Sequence, residues 1–177
     1  ELLVGMAEAL ISGAPRPEAA VTLAKAGIWW PGRGVISAEA WSETSSRQPS
    51  TAALAVITFY RALVQSGQTQ PVEALIAALD ARGMRVLPLF VSSLKEPFSA
   101  GMIRDLFGKL APDVVLNSTS FAVVSPGAAQ TGTVLDETGA QVFQVIFSGS
   151  TRESWEASSM GLASRDLAMN VALPEVD

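Results

Sequence analysis

Polar side chains follow several apolar segments of this sequence, and they are its clearest candidates for binding chemistry. The residues of this kind are Tyr60 and Arg61, Ser92 and Lys95, Asn117 to Phe121, and Ser148 to Ser150. Hydroxyl, amide and cationic groups hold anionic or amide-bearing ligands through hydrogen bonds. The same residue types also end strands and cap helices, so a purely structural role is the competing interpretation.

Several familiar catalytic arrangements are missing from the sequence. It contains no histidine and no cysteine, which excludes a Ser–His pair, thiolate chemistry and the commonest transition-metal ligand. Ser148-Gly149-Ser150 does not form the G-x-S-x-G pattern of a hydrolase nucleophile. Gln65-Ser66-Gly67-Gln68 has one glycine where a dinucleotide-binding loop has three. The carboxylates are scattered, without a D-x-D-x-D loop or an evident pair, so no metal site is predicted.

A strand, a loop and a helix are predicted in succession between Thr51 and Gly83. Ala52 to Phe59 is an apolar run typical of a strand that is buried on both faces. Pro71 stands where the first turn of a helix tolerates a missing N–H, and Gly83 provides the stop. Tyr60 to Gln70 is then a loop at the carboxyl end of the strand, where open α/β sheets bind ligands.

Four further apolar runs predict strands. They are Arg85 to Val91, Val114 to Leu116, Val142 to Phe147 and Asn170 to Leu173. Helices are predicted between them, at Ser99 to Leu110 and from the capping box Ser150-Thr151-Arg152-Glu153. This βαβ series predicts an α/β fold, with a doubly wound, mostly parallel five-stranded sheet of Rossmann- or flavodoxin-like type.

The loops that follow parallel strands gather on one edge of the sheet. We favour the strand order 2-1-3-4-5, because Pro88 cannot donate to a ladder and therefore suits an edge strand. This arrangement predicts one ligand-binding site formed by residues from several loops. Its predicted members are Tyr60, Arg61, Asn117, Ser118 and Ser148.

Residues 1–50 are predicted to precede the α/β domain, which takes residues 51–177. Short helices are expected at Glu1 to Ile11 and at Glu18 to Ala26, where Ala26-Gly27 provides the second stop. Three tryptophans mark the connection that follows: Trp29, Trp30 and Trp41. We interpret them as anchors on a domain face, and an aromatic wall for a flat ligand is the alternative.

The composition describes an apolar, weakly charged chain. Of the 177 residues, 49% are hydrophobic and 16% are charged, with a formal net charge of −5. No Lys or Arg cluster exists, so a nucleic-acid partner is not expected, and no apolar stretch is long enough to span a membrane. A large buried sheet explains the apolar composition, and so does a fragment of a longer chain, which the abrupt ends favour.

Four stretches resemble the large subunit of aerobic cobaltochelatase, a family shared with the porphyrin-binding subunit of magnesium chelatase. They read KAGIWWP from Lys25, EALIAALDARGMRVLPLFVSS from Glu73, PDVVLNSTSF from Pro112 and RESWEASSMGLASRDLAMNVALPEVD from Arg152. The last stretch is the most specific. The resemblance implies a fragment of a very large, multidomain cytoplasmic protein.

The resemblance also implies a ligase-type metal chelatase in cobalamin biosynthesis. Its substrate would be the tetrapyrrole hydrogenobyrinic acid a,c-diamide, and its partners an AAA+ ATPase subunit and a companion subunit. The full complex would use ATP, Mg and cobalt, whereas the fragment alone would bind no cofactor and be inactive. A magnesium chelatase-type porphyrin-binding subunit is the alternative. So is a non-catalytic α/β domain that binds a small molecule or docks a subunit.

Glu175 lies within the family's L-P-E-x-D motif. The resemblance implies a position near the tetrapyrrole cavity for this carboxylate. There it would bind the incoming cation or accept pyrrole protons as the metal enters.

Overall fold

The structure is a computed structural model, and it describes residues 2–13, 15, 22–45, 47–119 and 133–172. The strands are β1 (Ala26–Trp30), β2 (Gly34–Ile36), β3 (Leu54–Tyr60), β4 (Arg85–Val91), β5 (Val114–Asn117) and β6 (Gln141–Gln144). The α-helices are α1 (Leu2–Ser12), α2 (Ala38–Ser45), α3 (Arg61–Ser66), α4 (Gln70–Asp80), α5 (Pro97–Leu110), α6 (Arg152–Glu156) and α7 (Ser164–Leu167). A 3₁₀ turn (Asp136–Thr138) precedes β6, and a π-helical turn (Ala168–Ala172) continues α7.

The sheet has six strands in the order β2-β1-β4-β3-β5-β6. Neighbouring strands from β4 to β6 are parallel, whereas β1 is antiparallel to both β2 and β4. The mostly parallel α/β sheet is therefore confirmed, with six strands in place of five. Its four parallel strands follow the order 2-1-3-4 that the sequence favoured.

The segment predicted as a fifth strand has a different structure. Residues 168–172 form the π-helical turn, and Leu173 lies outside the described residues. The side-chain amide of Asn170 donates to the carbonyl oxygen of Asp166 at 2.9 Å. This contact, four residues back along the chain, fits a helical turn and not an extended strand.

Strand β4, which contains Pro88, is not an edge strand, contrary to the prediction. Strand β1 covers it, in a register that pairs Ala26 with Val91 and ends where Ile28 pairs with Leu89. Pro88 is the next residue along β4, and it has no N–H to donate. The ladder therefore ends at the proline, and β4 accommodates the residue without lying at the edge of the sheet.

The tryptophan-rich segment is a β-hairpin, where the sequence suggested a helix stop and a connection. Gly27 pairs with Phe90 across β1 and β4, and a Cβ atom on Gly27 would lie 2.6 Å from the ring carbon Cζ of Phe90. The glycine therefore serves close packing within the sheet and does not end a helix. Since β1 and β2 join the sheet, strands come from both sides of residue 50, and the predicted domain boundary stays a prediction.

Apolar side chains of the sheet pack on both of its faces, as a doubly wound fold requires. In β3, the side chain of Val56 packs in the apolar cluster that contains residues of α5. The side chain of the next residue, Ile57, packs in the apolar cluster that contains residues of α4. Both side chains are fully buried. The helices predicted between Pro71 and Gly83 and at Ser99 to Leu110 are α4 and α5. Their apolar residues lie in these two clusters, so both predictions are confirmed.

Three helix assignments differ from the prediction. Residues 22–25 of the helix expected at Glu18 to Ala26 are not helical, and Ala26 begins β1. Much of the expected loop after β3 is helix α3, which begins directly after Tyr60 and ends at Ser66. Gly67 follows it in the left-handed conformation, with a φ of 70°. Leu63 and Val64 of α3 pack on the core, which favours the helix. The capping box begins one residue later than expected, because the Thr151 hydroxyl accepts the N–H of Ser154 at 3.2 Å.

Trp41 joins α2 to the sheet. Its side chain is 1% exposed, and its indole N–H donates to the carbonyl oxygen of Val86 at 2.7 Å. The guanidinium carbon of Arg85 lies 5.3 Å from the centre of the indole ring. Trp29 is also buried, so both residues are structural anchors and neither forms an aromatic wall for a ligand.

Candidate ligand-binding cavity

A cavity of about 550 Å³ lies where the carboxyl ends of β3 and β5 meet the segment after β6. Its polar lining comes mainly from Tyr60, Ser118, Ser150, Arg165, Asp166 and Asn170. Leu63 and Phe147 add apolar surface. A concave site of this size with a few convergent polar groups is typical of small-molecule binding.

The topology brings three of the predicted site residues to this cavity or beside it. Tyr60 and Ser118 line it, and Ser148 donates its hydroxyl hydrogen to Asp166 Oδ2, which lines it, at 3.2 Å. The Ser118 hydroxyl donates to the carbonyl oxygen of Thr58 at 2.9 Å. This bond fixes the Ser118 oxygen at the cavity wall, where its lone pairs can still accept hydrogen bonds.

Asn117 has a buried position in the hydrogen-bond network of the sheet. Its Oδ1 accepts the hydroxyl of Thr58 at 2.7 Å and that of Thr119 at 2.8 Å. Its Nδ2 donates to Oε1 of Gln144 at 3.0 Å. These bonds connect β3, β5 and β6 at the residue that precedes Ser118 of the cavity lining. Direct ligand binding by Asn117 stays a prediction. In the structure, its hydrogen bonds hold the end of β5 in place, next to Ser118.

The remaining predicted residues lie apart from the polar lining. Arg61 is the first residue of α3, next to Tyr60, and it does not line the cavity. Ser92 follows β4, where its hydroxyl lies 3.5 Å from that of Ser99. Lys95 is exposed in the same loop. Glu175 lies outside the described residues, so its role stays a prediction.

Asp166 is one of the cavity residues that the sequence interpretation missed. Its side chain is 7% exposed, and its Oδ2 accepts the backbone N–H of Gly149 at 2.9 Å. The two residues are brought together by the fold across 17 positions of the chain. A single aspartate in a polar segment is usually solvated, so only a three-dimensional contact distinguishes it.

The charges of the cavity lining are one carboxylate and one guanidinium, from Asp166 and Arg165, among the residues that the structure describes. Acids with shifted pKa values lie elsewhere. The pKa of Glu137 is lowered by its bonds to Arg104, and the pKa of Glu96 is lowered to about 2 mainly by Lys25. A general base near neutral pH requires a raised carboxyl pKa, so neither residue is suited to that role.

Residues 2–13, 15, 22–45, 47–119 and 133–172 contain no group of three or more His, Cys, Asp or Glu side chains placed to hold a metal ion. Among these same residues, no helix has the length and apolar character that crossing a membrane requires.

A second, more apolar groove of about 680 Å³ lies between the β1–β2 hairpin and α5. Val35 and Phe98 line it, and their side chains are exposed. Strand β2 is an edge strand, so this groove also borders unpaired backbone groups. It is a candidate contact surface for another protein element.

The chain is similar to known chelatase subunits in sequence. It is 56% identical over 99% of its length to the aerobic cobaltochelatase subunit CobN of Sinorhizobium sp, and it spans 14% of that protein. It is 33% identical to CobN of Pseudomonas aeruginosa over 68% of its length and 10% of that protein's. The chloroplastic magnesium-chelatase subunit ChlH of Oryza sativa is 28% identical, over 68% of this chain and 9% of that subunit.

The fold is similar to that of a solved chelatase structure. The catalytic subunit of cobaltochelatase from Mycobacterium tuberculosis superposes with a TM-score of 0.61 at 24% identity, over 99% of this chain and 14% of that one. At this identity the likeness supports the fold. The CobN/Magnesium Chelatase family model matches residues 1–177. The chain therefore belongs to the CobN/magnesium chelatase family.

Proposed function

We propose that this chain is a segment of the large subunit of an ATP-dependent cobaltochelatase, and that it forms one wall of the tetrapyrrole-binding cavity. The substrate would be hydrogenobyrinic acid a,c-diamide, into which the full complex inserts cobalt in the cytoplasm. The observation that supports this proposal is the cavity at the carboxyl edge of the sheet, which Tyr60, Ser118 and Arg165 line. The chain covers 14% of its CobN relative from Sinorhizobium sp, which supports a segment of a larger subunit.

Hydrogen bonding and a positive charge make the cavity suitable for this substrate. An acidic tetrapyrrole carries carboxylates on its rim, and a guanidinium is the preferred partner of such groups. Hydroxyls of Tyr60 and Ser118 add neutral contacts, while Leu63 and Phe147 supply apolar surface for the macrocycle. The wall would bind and orient the macrocycle, and other parts of the full subunit would complete the site.

Cobalt is favoured over magnesium by the sequence relatives. Identity to the CobN protein of Sinorhizobium sp is 56% over 99% of the chain, against 28% over 68% for the magnesium-chelatase subunit. Cobalt enters the reaction as a substrate. ATP and Mg would be used by the partner subunits, an AAA+ ATPase and its companion, and this chain alone would be inactive.

We extend the proposal to Glu175, on the strength of its place in the L-P-E-x-D motif. Its carboxylate would accept pyrrole protons or contact the incoming cation. In the full complex, Glu175→Gln is expected to abolish cobalt insertion while tetrapyrrole binding persists. Asp177→Asn in the same motif is the matched control, and equal loss from both variants would contradict a specific role for Glu175.

Titration of the full-length subunit with hydrogenobyrinic acid a,c-diamide, followed by tetrapyrrole absorbance, tests the cavity wall. The double variant Ser118→Ala/Arg165→Ala is expected to weaken binding about tenfold or more, since a hydrogen bond and a charged contact are lost. Lys109→Ala is the control, because Lys109 is near the carboxyl end of α5, at the opposite edge of the sheet. Unchanged binding in the double variant would contradict the proposal.

A non-catalytic docking domain within the same enzyme is the alternative, and the apolar groove between the hairpin and α5 favours it. Phe98→Asp in this groove would then abolish association with the ATPase subunit and leave tetrapyrrole binding intact. The cavity proposal predicts the opposite sensitivity, with tetrapyrrole binding lost in the Ser118→Ala/Arg165→Ala variant and association of the subunits retained.

A further inference from the structure

The apolar groove between the β1–β2 hairpin and α5 has apolar surface that the described residues leave uncovered. Its helical side carries Phe98, Met102 and Leu106, which recur at the four-residue spacing of one helix face. Its sheet side carries Ile28 and Ile36, which are paired across β1 and β2. The Phe98 side chain is 55% exposed. An aromatic side chain that is exposed beside a concave apolar surface is typical of a site for another protein element.

Gly101 lies on the same side of α5, between the first two of these residues, and it lines the groove. A Cβ atom on Gly101 would meet no atom within 4 Å, so packing among the described residues does not require glycine here. Glycine destabilises the interior of a helix relative to alanine. Its missing side chain does, however, let another backbone approach α5 closely from the groove.

Strand β2 forms the opposite rim of the groove. It pairs with β1 on one side, and no strand of the described chain lies on its other side. An edge strand has unpaired N–H and C=O groups, and an extended segment binds such an edge by adding one more strand. Alternate side chains of the added strand would then enter the groove. The edge therefore favours an extended occupant.

The relatives indicate where such a segment comes from. The chain aligns over 99% of its length with CobN of Sinorhizobium sp and with the Mycobacterium tuberculosis subunit, and it covers 14% of each. Most of a subunit of this kind is polypeptide outside this chain, and a segment tethered to the groove has a high effective concentration there.

The charge of the groove disfavours a second copy of the chain as the occupant. Asp105 is the charged residue among the described residues that line the groove. A twofold contact between two copies would bring the same carboxylate to the groove from both sides, and like charges repel. A segment with a Lys or Arg side chain would be complementary to Asp105 instead.

We propose that this groove is the docking site of an extended, mainly apolar segment from the rest of the large subunit. The segment adds a strand to β2 and places a cationic side chain near Asp105. This inference rests on the proposed function only in that the chain is a segment of such a subunit. It adds an internal docking surface that is separate from the cavity at the carboxyl edge of the sheet.

Photo-crosslinking in the full-length subunit tests this docking. Phe98→p-benzoylphenylalanine places a photoreactive group in the groove, and irradiation of the subunit alone is expected to give a crosslink at the mass of one polypeptide. Peptide mass spectrometry is expected to assign the crosslink to a segment outside residues 1–177. A crosslink between two copies, a crosslink that forms only with the ATPase subunit, or no crosslink to another segment would overturn the proposal.

Two glycines of α5 provide matched variants for this experiment. In the crosslinking protein, Gly101→Leu fills the groove and is expected to lower the crosslink yield about tenfold or more, as overpacking of an interface implies. Gly108→Leu is the control, since open space also surrounds Gly108 and this residue does not line the groove. Equal yields from the two variants would overturn the proposal. Gly101→Ala serves if the leucine variant does not fold, and a smaller decrease in yield is expected from it.

Titration of the same subunit with hydrogenobyrinic acid a,c-diamide separates this inference from the proposed cavity wall. If the tetrapyrrole binds and no crosslink forms within the polypeptide, the docking proposal alone is overturned. If the expected crosslink forms in a subunit that does not bind the tetrapyrrole, the docking proposal is supported and the cavity wall is contradicted.

Discussion

Oδ2 of Asp166 accepts the backbone N–H of Gly149 at 2.9 Å and thereby joins helix α7 to the loop after β6. The Ser148 hydroxyl donates to the same oxygen at 3.2 Å. Because all three residues lie at or beside the cavity, this contact defines the shape of one side of the proposed tetrapyrrole wall. Loss of this hydrogen bond is therefore expected to loosen the loop after β6 while the sheet stays folded.

Asp166→Ala is expected to loosen the loop after β6. The variant removes two hydrogen bonds to a charged acceptor, each of which contributes roughly 1.5–3 kcal/mol when buried. The amide of Gly149 should then exchange its hydrogen faster, as measured by hydrogen–deuterium exchange, while the amides of β3 keep their protection. Asp105→Ala is the control, and an unchanged exchange rate at Gly149 would contradict the role of Asp166 in the loop.

Gly27→Ala is expected to destabilise the sheet through the ring of Phe90. The added methyl would lie 2.6 Å from Cζ of a ring that is fully buried, and overpacking of this kind costs about 1–3 kcal/mol. Urea unfolding of the chain measures the loss. Adding Phe90→Leu should recover part of it, since the leucine removes the clashing ring atoms.

Gly108→Ala is the control for this experiment, because open space surrounds Gly108 in α5. There the extra methyl should stabilise the helix by roughly 0.5–1 kcal/mol. If both alanine variants change stability equally, close packing at Gly27 is not the reason for the glycine.

Trp41→Phe is expected to lower the free energy of unfolding by about 1–3 kcal/mol, because the carbonyl of Val86 loses its buried donor. That donor is the indole N–H, at 2.7 Å. Trp155 has a side chain that is 52% exposed, so Trp155→Phe should change stability by no more than a few tenths of a kcal/mol. Equal effects in thermal unfolding would show that α2 is not held to the sheet by this bond.

Stability is expected to fall when acid titrates Glu96. Its carboxylate pairs with Lys25 at 2.9 Å and accepts the N–H of Ser99 at the start of α5. These contacts lower the pKa of Glu96 from 4.5 to about 2. Because the pKa is lower in the folded state, the stabilisation is complete above pH 4.5 and is lost as the pH falls toward 2.

Lys25→Met removes the ammonium group that contributes most to the lowered pKa of Glu96. The variant should lose less stability than the wild type between pH 4.5 and 2, as measured by urea unfolding across that range. Identical pH profiles for the two proteins would contradict the assignment of the shift to Lys25.

Long periodic segments allowed much of the fold to be predicted from the sequence. The apolar run in β3 and the stripes of α4 and α5 specify buried elements with little ambiguity. The β1–β2 hairpin was missed because β2 has three residues and the tryptophans precede a Pro-Gly pair, which is typical of a connection. The prediction that β4 is an edge strand was wrong, because the neighbouring strand β1 pairs with β4 only as far as Leu89. Pro88 therefore does not need to donate a hydrogen bond to β1.

Only those site residues that lie at the ends of strands could be predicted from the sequence. Tyr60 and Ser118 terminate or follow parallel strands, so the topology alone places them at one edge. Asp166 lies in a short helix with no distinctive spacing, and its importance arises from contacts with Ser148 and Gly149. Arg165, the preceding residue in α7, lines the cavity without any distinctive signal in the sequence either.

A structure of the full-length subunit with bound hydrogenobyrinic acid a,c-diamide tests the cavity wall most directly. The macrocycle is expected to lie against Tyr60, Ser118 and Arg165, with a carboxylate oxygen of its rim within hydrogen-bond distance of the Arg165 guanidinium, about 2.7–3.2 Å. A macrocycle bound elsewhere in the subunit, with this cavity filled only by solvent, would contradict the account.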